Sequence, residues 1–64
     1  MLYRVKKVVR GAEYWLKEYG PSGGKHDWQG IKDNGSKMSH DDCRSWTDKL
    51  VVLYPGIELK IETA

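Results

Sequence analysis

The length of the chain is the strongest constraint on its fold. Its 64 residues supply side chains for one hydrophobic core, so the sequence predicts a single domain spanning residues 1–64. A domain of this size buries only about 60% of the surface that its unfolded chain exposes, which leaves a thin margin of stability. Cys43 is the one cysteine, so no internal disulfide can add to that margin. Side-chain packing, or a partner subunit, has to stabilise the fold.

The same cysteine usage indicates a reducing compartment, and we expect the protein to be cytoplasmic. The first seven residues, MLYRVKK, carry charges where a secretory signal would need an apolar run. No stretch of the sequence approaches the roughly 20 apolar residues that a membrane-spanning helix needs. The sequence therefore predicts a protein without a membrane partner.

The first third of the chain has the pattern of a strand hairpin. Apolar and polar residues alternate from Leu2 to Val9, as in a half-buried strand, and a second segment rich in β-forming residues runs from Glu13 to Tyr19. The short connection Arg10-Gly11-Ala12 between them favours an antiparallel pair. Residues 20–24, GPSGG, should end the second strand, because proline lacks a ladder donor and glycine favours irregular backbone.

The middle of the chain has a weaker pattern. Between Lys25 and Lys37, Trp28 and Ile31 are the only large apolar residues, and Asn34-Gly35 is a turn signal. We expect an ordered loop that these two apolar side chains anchor to the core. Met38 is expected to add a short strand segment before the next element.

A helix is predicted to follow Ser39, which is a favoured N-cap residue and is followed by Asp41 and Asp42 in the first turn. Apolar residues then recur at steps of three and four, which places them on one helical stripe: Cys43, Trp46, Leu50, Leu53 and Tyr54. The β-branched pair Val51-Val52 also permits a strand over residues 50–54. Pro55-Gly56 is a stop signal for either element.

The cleanest strand pattern lies at the end of the sequence, where Ile57, Leu59 and Ile61 alternate with Glu58, Lys60 and Glu62. The predicted order is strand, strand, loop, helix, strand. The fold class is therefore α+β, a small antiparallel sheet with one amphipathic helix packed on one face. The other face of the sheet should stay open, with aromatic area near water. The pattern leaves open whether Trp15, Lys17 and Tyr19 or the alternate residues of the second strand line that face.

Residues that could carry chemistry are few. His40, Asp41, Asp42 and Cys43 have ligand-type side chains, and His26-Asp27 could join them, but the paired short-spacing ligands of a structural zinc site are missing. Cys43 falls on the apolar stripe, where burial makes a thiol inert. The glycines before Lys25 do not match a phosphate-binding loop. We therefore predict a non-enzymatic protein without a cofactor or metal.

Charge is distributed unevenly along the chain. Residues 1–25 contain six Lys or Arg against two Glu, whereas residues 26–64 contain five against seven Asp or Glu. A basic first half could contact phosphates, which makes a nucleic-acid-binding module one alternative. Its candidate contact residues are Arg4, Lys6, Lys7, Arg10 and Lys17. Self-association into a homodimer is a further alternative, because a small core beside an open sheet edge favours it.

The overall layout resembles that of small proteins encoded by phages and prophages. The resemblance covers the whole chain: a hairpin ending in EYWLKEYGPSGG, the Trp-bearing segment HDWQGIKDNGSKM, a capped helix and a closing strand, PGIELKIE. It implies an accessory role, because such proteins often bind and inhibit or redirect a host restriction, CRISPR or transcription complex. It assigns no functional residue to any position of this sequence.

The leading functional prediction is a non-catalytic protein-binding domain that occludes the surface of a host protein or nucleoprotein complex. It depends on the small size of the chain, the open sheet face, exposed aromatic side chains and a set of acidic side chains. The candidate protein-contact residues are Tyr3, Trp15, Tyr19, Asp27, Asp33, Asp41, Asp42 and Asp48.

Overall fold

The protein is an α+β domain, as the sequence predicts. The computed structural model describes residues 1–19 and 25–64; residues 20–24, predicted to end the second strand, lie outside the described residues. A four-stranded antiparallel sheet has the spatial order β3-β2-β1-β4, and a single α-helix packs mainly against β1 and β4. The elements in chain order are β1 (Tyr3–Val9), β2 (Ala12–Tyr19), β3 (Lys25–Gln29), a 3₁₀ turn (Lys32–Asn34), α1 (His40–Leu53) and β4 (Glu58–Thr63).

The predicted hairpin is confirmed. Val9 pairs with Ala12, and the two residues between them have positive φ angles, 52° for Arg10 and 81° for Gly11. Two consecutive left-handed residues make the type I′ turn whose twist matches that of the flanking strands. Gly11 adopts this conformation without strain, whereas Arg10 has to be held in it by the strand pairing on both sides.

The prediction for residues 25–31 is wrong in two respects. Lys25–Gln29 is a strand rather than a loop, and it pairs with β2 so that Trp28 lies opposite Leu16 and His26 opposite Glu18. It is polar because Trp28 is its one apolar side chain that packs against the core, and the edge of β2 supplies its backbone partners. Ile31 does not anchor the segment, since 64% of its surface is exposed.

The helix prediction is confirmed at its start and along its buried face. The Ser39 hydroxyl accepts a hydrogen bond from the backbone N–H of Asp42 at 3.1 Å, which satisfies one of the free amides of the first turn. Cys43, Trp46 and Leu50 are buried, as their spacing predicts. The helix ends at Leu53, before Pro55, and Gly56 has a φ of 88° in the reversing turn.

The core lies between α1 and the inner face of the sheet. It consists of Val5, Leu16, Met38 and the three buried helix residues, with Leu59 and Ile61 of β4 packed against it. The apolar side chains of β4 therefore face the helix, and its charged side chains face away from it, as the sequence predicts. None of the helices in the described part of the chain is long and apolar enough to cross a lipid bilayer.

The outer face of the sheet is less open than the sequence predicts. β1 and β2 pair only as far as Lys6 and Trp15. Beyond that point Ser36 bonds to β2, donating to the Leu16 carbonyl and accepting from the Glu18 N–H, both at 2.9 Å, while Met38 pairs with Tyr3 of β1. The segment Gly35–Met38 thus takes the place of a direct β1–β2 contact. It confirms the short strand segment expected at Met38.

Candidate protein-contact surface

An ion cluster occupies the outer face of the sheet. The Lys6 side chain is 8% exposed, its ammonium contacts the carboxylates of Glu13 and Glu62, and the Lys32 ammonium lies 3.8 Å from the Glu62 carboxylate. The ammonium groups of Lys6 and Lys32 also lie over the ring of Trp15, at 5.4 and 5.3 Å from its centroid respectively. The hydrogen bonds that the Lys6 ammonium donates to the Glu13 and Glu62 carboxylates raise the pKa of Lys6, and the bond from Lys6 lowers the pKa of Glu62. The cluster satisfies its own charges, which gives it a structural role.

Two of the three aromatic contact candidates are engaged within the fold. Trp15 does belong to the outer face, but only 5% of it is exposed, because the Gly35 segment and the two lysines cover it. Tyr3 lies on the inner side, with its ring 5.1 Å from that of His40 in an edge-on contact. Tyr19 is 45% exposed and is the one of the three that a partner can reach directly; its ring lies 5.4 Å from the Lys17 ammonium.

The acidic candidates are all exposed but do not form one surface. Asp27 lies on β3 and Asp33 on the 3₁₀ turn, whereas Asp41, Asp42 and Asp48 lie on α1 in the other layer. The Asp27 carboxylate is also used locally, accepting hydrogen bonds from the backbone N–H of Trp28 at 2.7 Å and from Gln29 Nε2 at 3.1 Å. A single partner surface would therefore meet only part of this set.

The basic candidates are divided as well. Arg4 is 4% exposed and donates from Nε to the Gly35 carbonyl at 3.3 Å, and Lys6 belongs to the ion cluster. Lys7 faces the opposite side of the sheet, and Arg10 is exposed in the hairpin turn. Alternation places Lys7 on the opposite face of β1 from Arg4 and Lys6, which are both buried in contacts within the fold, so the cations of β1 do not form the continuous basic track that a phosphate backbone requires.

The ligand-type residues near the start of α1 have other roles in the fold. Cys43 is fully buried, and burial, followed by the charges of Asp42 and Glu18, raises the pKa of its thiol. His26 packs edge-on against Trp46 at 5.4 Å. Within residues 1–19 and 25–64, no group of three or more His, Cys, Asp or Glu side chains could hold a metal ion.

The most exposed apolar surface is the last turn of α1 and the residue after it. Val51, Val52, Leu53 and Tyr54 are 46%, 77%, 52% and 48% exposed, and we call these four residues the apolar patch. The last four helical positions, from Leu50 to Leu53, span all sides of the axis, so the last turn of α1 is apolar all round although only Leu50 in it is buried. The predicted burial of Leu53 and Tyr54 is therefore wrong, because the packed part of the stripe ends at Leu50.

A groove of about 340 Å³ lies beside this turn. We call it the terminal groove; it is lined by Lys7, Val9, Trp28, Tyr54 and Ile57. Tyr54 belongs to both the patch and the groove, so the two surfaces are continuous. Val9 and Tyr14 near the hairpin turn, 43% and 37% exposed, extend the apolar area across the end of the sheet.

The sequence contained a signal for this surface that the periodicity argument did not use. Five apolar residues in a row, from Leu50 to Tyr54, suggested an ambiguity between helix and strand. If the segment is helical, such a run cannot fit on one stripe, and some of its side chains must face away from the core.

Comparison of the chain with models of protein families, with curated proteins and with solved structures finds no match.

Proposed function

We propose that this protein is a non-catalytic protein-binding domain whose contact surface is the apolar patch together with the terminal groove. One observation carries the proposal: a helical turn with apolar side chains on all sides, in a domain that buries only three residues of that helix. A contiguous group of exposed valine and leucine side chains is typical of a surface that a partner covers.

Energetic considerations support the same surface. Fully burying an exposed aliphatic side chain contributes about 1.5–3 kcal/mol. Val52 and Leu53 are 77% and 52% exposed, so covering both would add part of the free energy of a micromolar complex, which is about 8 kcal/mol. The aromatic rings of Tyr54 and Trp28 beside them are side chains of the kind enriched at binding hot spots.

The layout resemblance to phage-encoded proteins supports a narrower form of the proposal. In that form the partner is a host protein or nucleoprotein complex concerned with defence or transcription, and the domain acts by covering a surface that the complex needs. Inhibition of this kind requires affinity and shape, and it requires no catalytic group on the domain.

Affinity capture with matched variants tests the proposal. The test variant carries Val52→Lys and Leu53→Lys, and lysine suits these positions because cations stabilise the C-terminal end of a helix. The control is Ile31→Lys, which changes an equally exposed apolar side chain elsewhere on the surface. All three proteins should have the same circular dichroism spectrum and a similar melting temperature.

We expect the wild type and Ile31→Lys to retain the same protein from a lysate of the cells in which the gene is expressed, and the double variant to lose it. Failure of the wild type to retain any protein, or equal retention by the double variant, would contradict the proposal.

A further inference from the structure

The terminal groove differs from the rest of the apolar surface in containing one charged side chain. Lys7 lies among Val9, Trp28, Tyr54 and Ile57, and it is half-buried. A volume of about 340 Å³ is at the lower end of the range for ligand sites, enough for one bulky side chain and a neighbouring polar group. The groove can therefore recognise a small part of a partner with some chemical selectivity.

The immediate partners of Lys7 are aromatic rings. Its ammonium lies 4.5 Å from the centroid of Trp28 and 5.5 Å from that of Tyr14. These rings attract a cation through their quadrupoles but carry no formal negative charge. In the part of the chain that the structure describes, no ion pair joins Lys7 to a carboxylate, in contrast to Lys6, which contacts two. The groove thus has an uncompensated positive charge on an apolar background.

We infer that the terminal groove binds a peptide segment of the partner protein in which a bulky apolar side chain stands next to an aspartate or glutamate. The apolar side chain lies against Val9, Tyr54 and Ile57, and the carboxylate accepts hydrogen bonds from the Lys7 ammonium. This inference rests on the proposed function and adds the chemistry that the groove recognises.

Charge and shape favour a peptide over other occupants. A nucleic acid strand needs several cations along its backbone, but the β1 neighbours of Lys7 point to the other face of the sheet, where Lys6 is already paired. The apolar patch continues the groove along the helix end, so a polypeptide that places one side chain in the groove can bury further apolar side chains beside it.

Placing the carboxylate in the groove should give both affinity and selectivity. Rings on one side shield the ammonium from water, so an ion pair formed there is screened less than one on an open surface. A charge pair of this kind contributes about 1 kcal/mol, which corresponds to about a fivefold change in dissociation constant.

Titration with paired synthetic peptides tests the inference. The probes are acetylated and amidated pentapeptides, Ala-Ala-X-Asp-Ala, in which X is Leu, Ile, Phe or Trp, each paired with the same peptide containing Asn in place of Asp. Binding is followed by ¹H–¹⁵N chemical shifts, with the indole N–H of Trp28 as the local reporter. We expect at least one Asp peptide to shift this signal and to bind about fivefold more tightly than its Asn partner.

The variant Lys7→Gln should reduce the affinity for the Asp peptide to that for the Asn peptide and leave the latter unchanged. Lys60→Gln, on the opposite face of the sheet, should preserve the preference. Absence of binding by every pair, equal affinity within each pair, or a preference that survives Lys7→Gln would overturn the inference. So would concentration-dependent shifts of the groove signals without peptide, because a second copy of the chain would then be the occupant.

The two proposals fail separately. Protein capture that depends on Val52 and Leu53, without an Asp preference in the peptides, would contradict only the role of Lys7. If the wild type captures no protein, or if the Val52→Lys and Leu53→Lys variant captures as much as the wild type, the proposed function itself is contradicted.

Discussion

At the scale of single residues, the neighbours Lys6 and Lys7 illustrate how a strand gives two identical side chains different roles. Alternation sends them to opposite faces of β1. Lys6 enters the outer-face cluster, where two carboxylates raise its pKa and hold it charged. Lys7 enters an apolar groove bordered by aromatic rings. The first lysine therefore stabilises the fold, and the second is the one that we propose for recognition.

The ion cluster predicts how stability depends on pH. Lys6 holds the pKa of Glu62 below its ordinary value of 4.5 in the folded state. The resulting stabilisation is present above about pH 4.5 and is lost as the pH falls through the lower folded-state pKa. Glu62→Gln should therefore lower the free energy of unfolding at neutral pH and flatten its decline in acid, as measured by urea unfolding between pH 2 and 7.

The control is Glu58→Gln, an exposed carboxylate on the same strand that takes part in none of the ion pairs of the described residues. It should leave the acid limb of the stability curve unchanged. Identical acid limbs for the two variants would show that Glu62 is not stabilised by Lys6.

At the scale of secondary-structure elements, the segment Gly35–Met38 connects the two halves of the sheet. It bonds to β2 through Ser36 and to β1 through Met38, and it covers the outer side of Trp15. This contact is so close that only glycine fits at position 35. A Cβ atom there would lie 2.8 Å from the Cβ of Trp15 and 3.3 Å from the Lys32 carbonyl oxygen.

Gly35→Ala should therefore destabilise the domain by about 1–3 kcal/mol, the usual cost of overpacking a close contact. The φ of Gly35 is −74°, which alanine adopts readily, so the loss would come from the contact and not from the backbone. Urea unfolding at neutral pH measures the difference.

Gly30→Ala provides the matched control, since nothing lies within 4 Å of the Cβ position there. Its free energy of unfolding should stay the same or rise by at most about 1 kcal/mol. Equal stability of the two variants would mean that the segment does not pack tightly on Trp15.

At the scale of the whole molecule, a few fully buried side chains hold the two layers together. Val5, Leu16, Cys43 and Leu50 are the largest of them, and Trp46 adds a hydrogen bond at 2.8 Å from its Nε1 to Glu18 of β2. A domain of 64 residues has a total stability of about 3–10 kcal/mol, so each core residue contributes a large fraction of it.

Leu50→Ala should cost about 2–5 kcal/mol, because it removes a fully buried side chain and leaves a cavity between the helix and the sheet. Leu53→Ala makes the same chemical change one turn later at a position that is 52% exposed, and it should cost less than about 1 kcal/mol. Urea unfolding of both variants checks the contrast, and a similar loss from the two would contradict the burial boundary at Leu50.

Local signals made much of the fold predictable. The Arg10-Gly11 turn, the Ser39 cap, the Cys43-Trp46-Leu50 stripe and the alternation of β4 each depend on neighbours in the sequence, and each is confirmed. Strand β3 was missed because its residues have no strand pattern of their own, and the strand is stabilised mainly by its pairing with β2. The sequence predicted the candidate contact surface less well. Whether Trp15 or the apolar patch is exposed depends on which distant segments of the chain pack over these residues.

The amino-acid sequence alone determined the fold class, the turn positions and the periodic faces, because hydrogen bonding and side-chain direction in a turn, helix or strand are set by residues a few positions apart. Only the tertiary structure decided that Trp15 and Lys6 are covered while Val52 and Leu53 remain uncovered. The physical reason is that burial is a property of the assembled layers. Residues 31–38 return across the outer face of the sheet and cover Trp15, whereas on the inner face the helix extends beyond Leu50, its last packed residue.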